Sequence, residues 1–220
     1  VLEVNDVSYD RLLDTEFMDV RAAGNVQTVR IWDWEELLAR YSELAKGLQA
    51  NDWLVGDLFG DSWKLVQDWF IEKVHGVDLA DYALQMRQAK SGNEKSLELL
   101  DGWMDWSVIN QQYHKLETAM LRCNGHVFCT AAADKYASGA GDKATDALLS
   151  PIGFKPVGQK HLAHRFQTVL LADKTRGVGG GSWTMTTVKD RGRVEMDRVA
   201  WNDWATNYMV QVAGWTLQTT

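Results

Sequence analysis

Asp57 closes the apolar run Trp53-Leu54-Val55 within NDWLVGDLFGDSW (residues 51–63). A short apolar run between turn signals reads as a buried strand of a parallel sheet, covered on both faces. An acid at the carboxyl end of such a strand faces the crevice where open α/β sheets hold ligands. In phosphoryl-transfer sites an acid so placed holds Mg²⁺, directly or through water. Alone, the same residue also reads as an N-cap for a helix starting near Trp63.

Lys189, Asp190 and Arg191 form the second set. In an extended strand Lys189 and Arg191 point to the same side, so both cations can address one anionic group. Such a pair stabilises charge on a transferring phosphoryl group; a solvated surface strand has the same pattern. Cys123, His126 and Cys129 have metal-like spacing, yet a fourth ligand is not apparent, and buried free cysteines are the simpler reading. His161 and His164, three apart, suit one helical turn or separate core and loop positions. GAGDKAT (139–145) lacks the contiguous Gly-Lys-Ser/Thr that sets a lysine and a hydroxyl beside phosphates, and reads as a flexible loop. GVGGGSW (177–183) reads as a turn.

The elements that must position these residues follow from periodicity. VLEVND (1–6) reads as a strand ending at Asp6, and VQTVRIW (26–32) as a second. Asp33 and Glu36 have capping-box spacing, before a helix with Trp34, Leu37, Leu38, Tyr41, Leu44 and Leu48 on its apolar stripe. After the Asp57 strand comes a helix facing inward through Trp63, Val66, Trp69, Phe70 and Val74. Residues 75–100 suggest a short helix and a mobile segment. A long helix from Trp103 to Arg122 buries Trp106, Ile109, Tyr113, Leu116 and Met120. HVFCTA (126–131) is the next buried strand, and 134–153, rich in Gly, Ala, Ser and Asp, reads as an exposed loop. RFQTVLLADK (165–174) and SWTMTTVKDRGR (182–193) read as a hairpin around 177–181. WNDWATNYMVQVAGW reads as a helix aligning Trp201, Trp204, Tyr208, Val212 and Trp215. Strands alternating with helices imply a mostly parallel α/β sheet flanked by helices, with the late hairpin making it mixed at one edge.

A chain of 220 residues suits one domain with a real core. Its composition, 45% hydrophobic and 24% charged, is that of an ordinary globular protein. No run is long enough to cross a bilayer, no signal peptide is visible, and two cysteines point to an intracellular home. The 11 tryptophans fall at helical spacings and read as packing. A net charge of −7 argues against a generic polyanion binder. Residues 155–198, however, hold nine Lys/Arg against four Asp/Glu, so a basic segment on an acidic body can receive phosphates locally.

Taken in order, these pieces resemble the ATPase core of the RecA/RadA-type recombinases, closest to the small RecA-like ATPases of phages. WLVGD resembles the Walker B strand. HVFCTAAAD resembles the next core strand, whose polar residue senses the γ-phosphate; Thr130 or Asp134 is the counterpart. KPVGQKHLAHRFQTVLLADK (155–174) carries a Lys-Pro-x-Gly start, an Ala-His pair and a strand ending in a basic residue. The partner strand ending in KDR resembles the Lys-x-Arg pair that related ATPases project into a neighbour's nucleotide site.

The resemblance implies a RecA-like P-loop fold in a single domain spanning 1–220, binding ATP and Mg²⁺ at a subunit boundary. It implies Asp57 on Mg²⁺, Thr130 at the nucleotide, and His164 coupling phosphate to the preceding loop. Lys189 and Arg191 act in trans, and Asp6 falls near the position of the water-activating glutamate. Single-stranded DNA meets the 135–160 region through Lys143, Lys155 and Lys160, in a cytoplasmic homo-oligomer, filament or ring, with no membrane partner. The family's first strand, P-loop and first helix fall before residue 1, so this chain alone is expected to bind ATP poorly or not at all and to be catalytically incomplete. A non-catalytic RecA-fold regulatory partner and another oligomeric P-loop ATPase, helicase-like or clock-type, are the competing readings.

Overall fold

The computed structural model describes residues 1–4, 13–15, 18–24, 26–89, 102–175, 182–210 and 214. The chain folds as two compact units, Val1–Ala132 with Val157–Gln159, and Ala133–Pro156 with Lys160–Thr220.

The first unit is built on a four-stranded sheet in the order β2-β1-β3-β4. Its strands are β1 (Leu2–Val4), β2 (Val29–Ile31), β3 (Trp53–Asp57) and β4 (His126–Cys129). All three pairings are parallel, as runs without hydrophobic alternation predict. The helices are α1 (Met18–Ala22), α2 (Trp34–Gly47), α3 (Ser62–His75), α4 (Leu79–Ala89) and α5 (Gly102–Leu121).

Helix α2 begins where the capping box places it. Asp33 is extended, and its side chain accepts from the Glu36 N–H at 2.8 Å, satisfying one otherwise orphaned donor. Its inward stripe is Trp34, Leu37, Tyr41 and Ala45, with Leu44 at the rim. Helix α3 is rotated from the expected stripe. It buries Leu65, Val66, Phe70 and Ile71, while Val74 is exposed. In α5, Ile109, Tyr113, Leu116 and Met120 are buried as expected, but Trp106 sits at the surface.

The core closes around aromatic rings. Trp34 stacks on Tyr113 at 6.2 Å, and Phe59 meets Tyr41 edge-on at 5.9 Å. Fully burying a large apolar side chain contributes roughly 1.5–3 kcal/mol, so these rings weigh heavily in the stability of the unit. The tryptophans divide. Trp34 is core, whereas Trp32, Trp53 and Trp183 are exposed, so packing alone does not account for them.

The second unit departs from expectation in three places. Residues 134–153 are not an open loop. Strands β5 (Ala133–Lys135) and β6 (Phe154–Pro156) pair antiparallel as a stem, and α6 (Lys143–Leu149) fills the excursion between them. Asp142 nucleates that helix by accepting from Thr145 N–H, and Leu149 anchors it in a small core with Ala163 and Val188. After α7 (Leu162–Arg165), β7 (Thr168–Thr175) and β8 (Ser182–Asp190) form the expected antiparallel hairpin. That hairpin does not extend the parallel sheet. With β9 (Ala200–Trp201) it makes its own three-stranded sheet, because β8 is hydrogen-bonded by β7 on one edge and β9 on the other.

The predicted C-terminal α-helix is a π-helix over Ala205–Val210. Its Tyr208 ring meets Trp201 of β9 edge-on at 5.6 Å, and Trp204 stacks on Tyr208 at the same distance. Val212 and Trp215, like the 177–181 turn, lie outside the described residues. Among the described residues no helix is long and apolar enough to cross a membrane.

Candidate functional site

In the first unit the sheet order itself marks a position. From β1 the chain goes to β2 on one side, then returns past β1 to β3 on the other. Ligand crevices in open α/β sheets lie outside the strands' carboxyl ends at such a reversal. Asp57 stands there, at the end of β3 and only 8% exposed.

The hydrogen-bond ladder brings Thr130 to it. Thr130 N–H donates to Gly56 O at 3.0 Å, one rung beyond the end of β4. Its hydroxyl then donates to Asp57 Oδ1 at 2.5 Å and accepts from Leu58 N–H at 2.8 Å. Leu58 N–H also reaches Asp57 Oδ1 at 3.1 Å. The acid is therefore oriented by two adjacent parallel strands. It is not the cap of the following helix, since Asp61 occupies the N-cap position of α3.

Leu58 takes φ 51°, ψ 41°, left-handed backbone that costs a non-glycine residue roughly 1–2 kcal/mol. Strain of this kind collects where the surrounding structure holds a functional residue in place. The turn behind it is tight. A Cβ on Gly60 would come within 2.3 Å of the Val157 carbonyl, so only glycine fits there without a shift.

Glu3 is a residue that sequence reading passed over. It lies in register with Asp57 across the β1–β3 pairing and is fully buried. Between Leu2 and Val4 it looks like the solvent face of a half-buried strand. Only a strand buried on both faces puts it inside, and β1 is buried at all three positions. Asp6 lies outside the described residues.

Cys129 and Cys123 are free. Cys129 faces Tyr41 Oη at 3.7 Å, and burial pushes its thiol up to about 12. Cys123 Sγ donates to Gly125 O at 3.3 Å. The His126 ring lies tilted against Trp53 at 5.0 Å instead of joining them. Among the described residues no group of three or more His, Cys, Asp or Glu is placed to hold a metal.

The second unit holds a separate cluster around α7. Lys189 Nζ donates to Ala163 O at 2.6 Å, and the Arg191 guanidinium donates to His164 O. The two cations thus reach consecutive carbonyls of one helical turn. Burial, then the neighbouring Arg191 charge, lowers the Lys189 ammonium to about 8.

His164 points toward α6. Its Nε2 lies 3.1 Å from Thr145 Oγ1, which lies 3.1 Å from Asp142 Oδ2. Asp142 is held below the usual carboxylate range first by the Thr145 backbone N–H. A hydroxyl has a single proton. Thr145 gives it to the Asp142 carboxylate, so His164 Nε2 carries a hydrogen and donates to Thr145. Burial, then Lys189 and His161, lowers the His164 imidazole below its ordinary value. His161 Nδ1 stands 3.7 Å from Asp142 Oδ2.

Asp190, between the cations in sequence, is buried and structural. It accepts from Tyr208 Oη and from Gly192 N–H at 3.0 Å, tying the π-helix to β8. Lys143, Lys155 and Lys160 are exposed, on α6, β6 and the turn before α7. Lys155 pairs with Asp134 at 3.7 Å. Of the two sensor candidates, then, Thr130 is bonded to Asp57, and Asp134 faces a lysine.

Residues 139–145 do not cradle an anion. Gly139 N–H donates to Asp146 Oδ1 and Thr145 N–H to Asp142 Oδ1, so two backbone donors are already spent on carboxylates.

The fold and these clusters define an α/β protein with a four-stranded parallel sheet flanked by helices and a separate C-terminal antiparallel sheet. No family model, curated protein or solved structure matches the chain.

Proposed function

We propose that this chain carries the core of a RecA-like, ATP-dependent recombination ATPase that binds single-stranded DNA and assembles with copies of itself. The observation that carries this reading is Asp57 at the reversal point of an all-parallel sheet, held there by Thr130 from the neighbouring strand's end. Asp57 supplies one hard carboxylate, and Thr130 fixes its orientation. That donor set fits Mg²⁺, which takes one or two protein carboxylates and fills its shell with water and phosphate oxygens. Bound there, Mg²⁺ neutralises charge on the phosphate oxygens. Thr130, held against Asp57, is placed to report on the phosphate end. Lys189 and Arg191 are the cations for a developing phosphoryl charge, offered to a neighbouring copy, and His164 links them to the 135–160 region.

Mn²⁺, a paramagnetic stand-in for Mg²⁺, tests the metal assignment without a turnover assay. With millimolar ATP it should broaden the NMR signals of residues 57, 58 and 130, and Asp57→Asn should abolish the effect. Thr130→Val, which leaves the ligand but not its orientation, should weaken Mn²⁺ binding by about 10–100-fold. Broadening that ignores both substitutions removes Asp57 from the metal.

Single-stranded DNA tests the second part. Lys155→Ala with Lys160→Ala should lower the log–log salt slope of binding by roughly 1.4, at about 0.7 per single-strand phosphate contact. An unchanged slope removes these lysines from the interface. ATP turnover indifferent to DNA would point to the helicase-like or clock-type ATPase.

A second reading, a RecA-fold regulatory partner without catalysis, has one observation in its favour. Both cations donate to carbonyls of their own chain.

A further inference from the structure

The α7 carbonyls explain that observation in another way. Helix α7 has four residues, so all its carbonyls lack partners within the helix. A neutral donor or water would satisfy them. Instead Ala163 O and His164 O take two cations, one half-buried and one exposed. Among the described residues neither cation forms an ion pair with a carboxylate. The acid whose charge acts on Lys189, Asp197, accepts from the Asp190 N–H at 2.7 Å. Two adjacent cations are thus hydrogen-bonded to neutral oxygens, with the Asp197 charge as a partial offset for Lys189 alone.

We propose that the Ala163 and His164 carbonyls are an internal occupant of the Lys189–Arg191 pair, which a ligand bearing a triphosphate tail displaces, releasing α7 from β8. The inference rests on reading Lys189 and Arg191 as phosphate-binding groups, and adds that they are latched when no phosphate is present.

The exchange is favourable in direction. Lys189 and Arg191 already reach the carbonyls as ionised donors, and phosphate oxygens add the Coulomb attraction of a full opposite charge to the same geometry, so they outcompete carbonyls for these donors. The consequence reaches α6. His164 belongs to α7, and its ring is bonded through Thr145 to Asp142, the N-cap of α6. Releasing α7 loosens that tether, and by reciprocity whatever holds α6 and α7 in place weakens phosphate binding equally.

Inorganic tripolyphosphate is the probe, titrated into the whole chain at ionic strength held constant with NaCl. Binding is read by calorimetry, and the carbonyl carbon shifts of Ala163 and His164 by NMR. Both carbonyls should move with the binding isotherm, toward the positions they take in Lys189→Met and Arg191→Ala respectively. Each substitution should weaken tripolyphosphate binding on the order of tenfold, the effect of one charge-assisted hydrogen bond. Lys189→Gln keeps a neutral donor for Ala163 O, so it should retain the fold and still lose affinity. Cation-dependent binding with both carbonyl shifts unmoved overturns the latch and leaves the phosphate role standing. Binding that ignores Lys189→Gln and Arg191→Ala overturns both.

Discussion

Asp57 owes its setting to three neighbours: the Thr130 hydroxyl, the Leu58 N–H and the register of β3 on β4. Thr130→Val keeps the shape and removes the donor. It should destabilise the fold by about 1.5–3 kcal/mol, the range for a hydrogen bond to a charged group, measured by urea denaturation. A loss near zero would mean that solvent takes the place of the hydroxyl. Tyr208→Phe probes the second buried acid in the same way. It takes one donor from Asp190 while Gly192 N–H and Arg193, 3.5 Å away, remain. The expected loss is again about 1.5–3 kcal/mol, with the π-helix amides exchanging faster.

Among the elements, two contacts set geometry. Asp33 caps α2, and Asp33→Ala should cost about 1 kcal/mol, seen as a lower denaturation midpoint at unchanged m-value. Gly60 sits in the 3₁₀ turn between β3 and α3, against Val157. Gly60→Ala drives a methyl into a backbone carbonyl that cannot swing aside. It should cost about 1–3 kcal/mol, as overpacking does, and disturb the signals of residues 57–61. The α3 stripe shows why helix faces are harder to read than helix existence. Trp63, Val66, Trp69, Phe70 and Val74 form a plausible apolar face, yet only Val66 and Phe70 of these are buried, joined by Leu65 and Ile71, while Val74 is exposed. When apolar residues cover most of a helix, the neighbours it packs against choose the face.

For the molecule as a whole, stability should track two titrations. Lys189 ionises near 8 in the folded chain against an ordinary 10.5. Between those values the unfolded chain holds more protons, so stability rises as pH increases through the window. Lys189→Met should show a smaller rise in thermal midpoint from pH 8 to pH 10 than the unaltered chain. An identical rise would mean that Lys189 ionises normally. His164 lies below its ordinary 6.5, so its contribution is complete above 6.5 and is lost as pH falls through the acid side. His164→Gln preserves a donor for Thr145 and should flatten that acid-side loss.

Periodicity and residue type, which act locally, are enough to reveal that this chain alternates strands and helices. They also place Asp57 at a strand's end, mark Asp33 as a cap and pair β7 with β8. Whatever depended on segments distant in sequence was decided by the tertiary structure. The burial of Glu3 follows from β1 being covered on both faces, and the Asp57–Thr130 bond joins residues 73 positions apart. The helix inside 134–153 is anchored by a core that Ala163 and Val188 complete. Lys189 and Arg191 meet carbonyls because α7 packs there, which strand alternation predicts only as a shared direction. A side chain's facing is written in its own neighbourhood, but its partner is chosen by which other strand or helix the fold brings alongside.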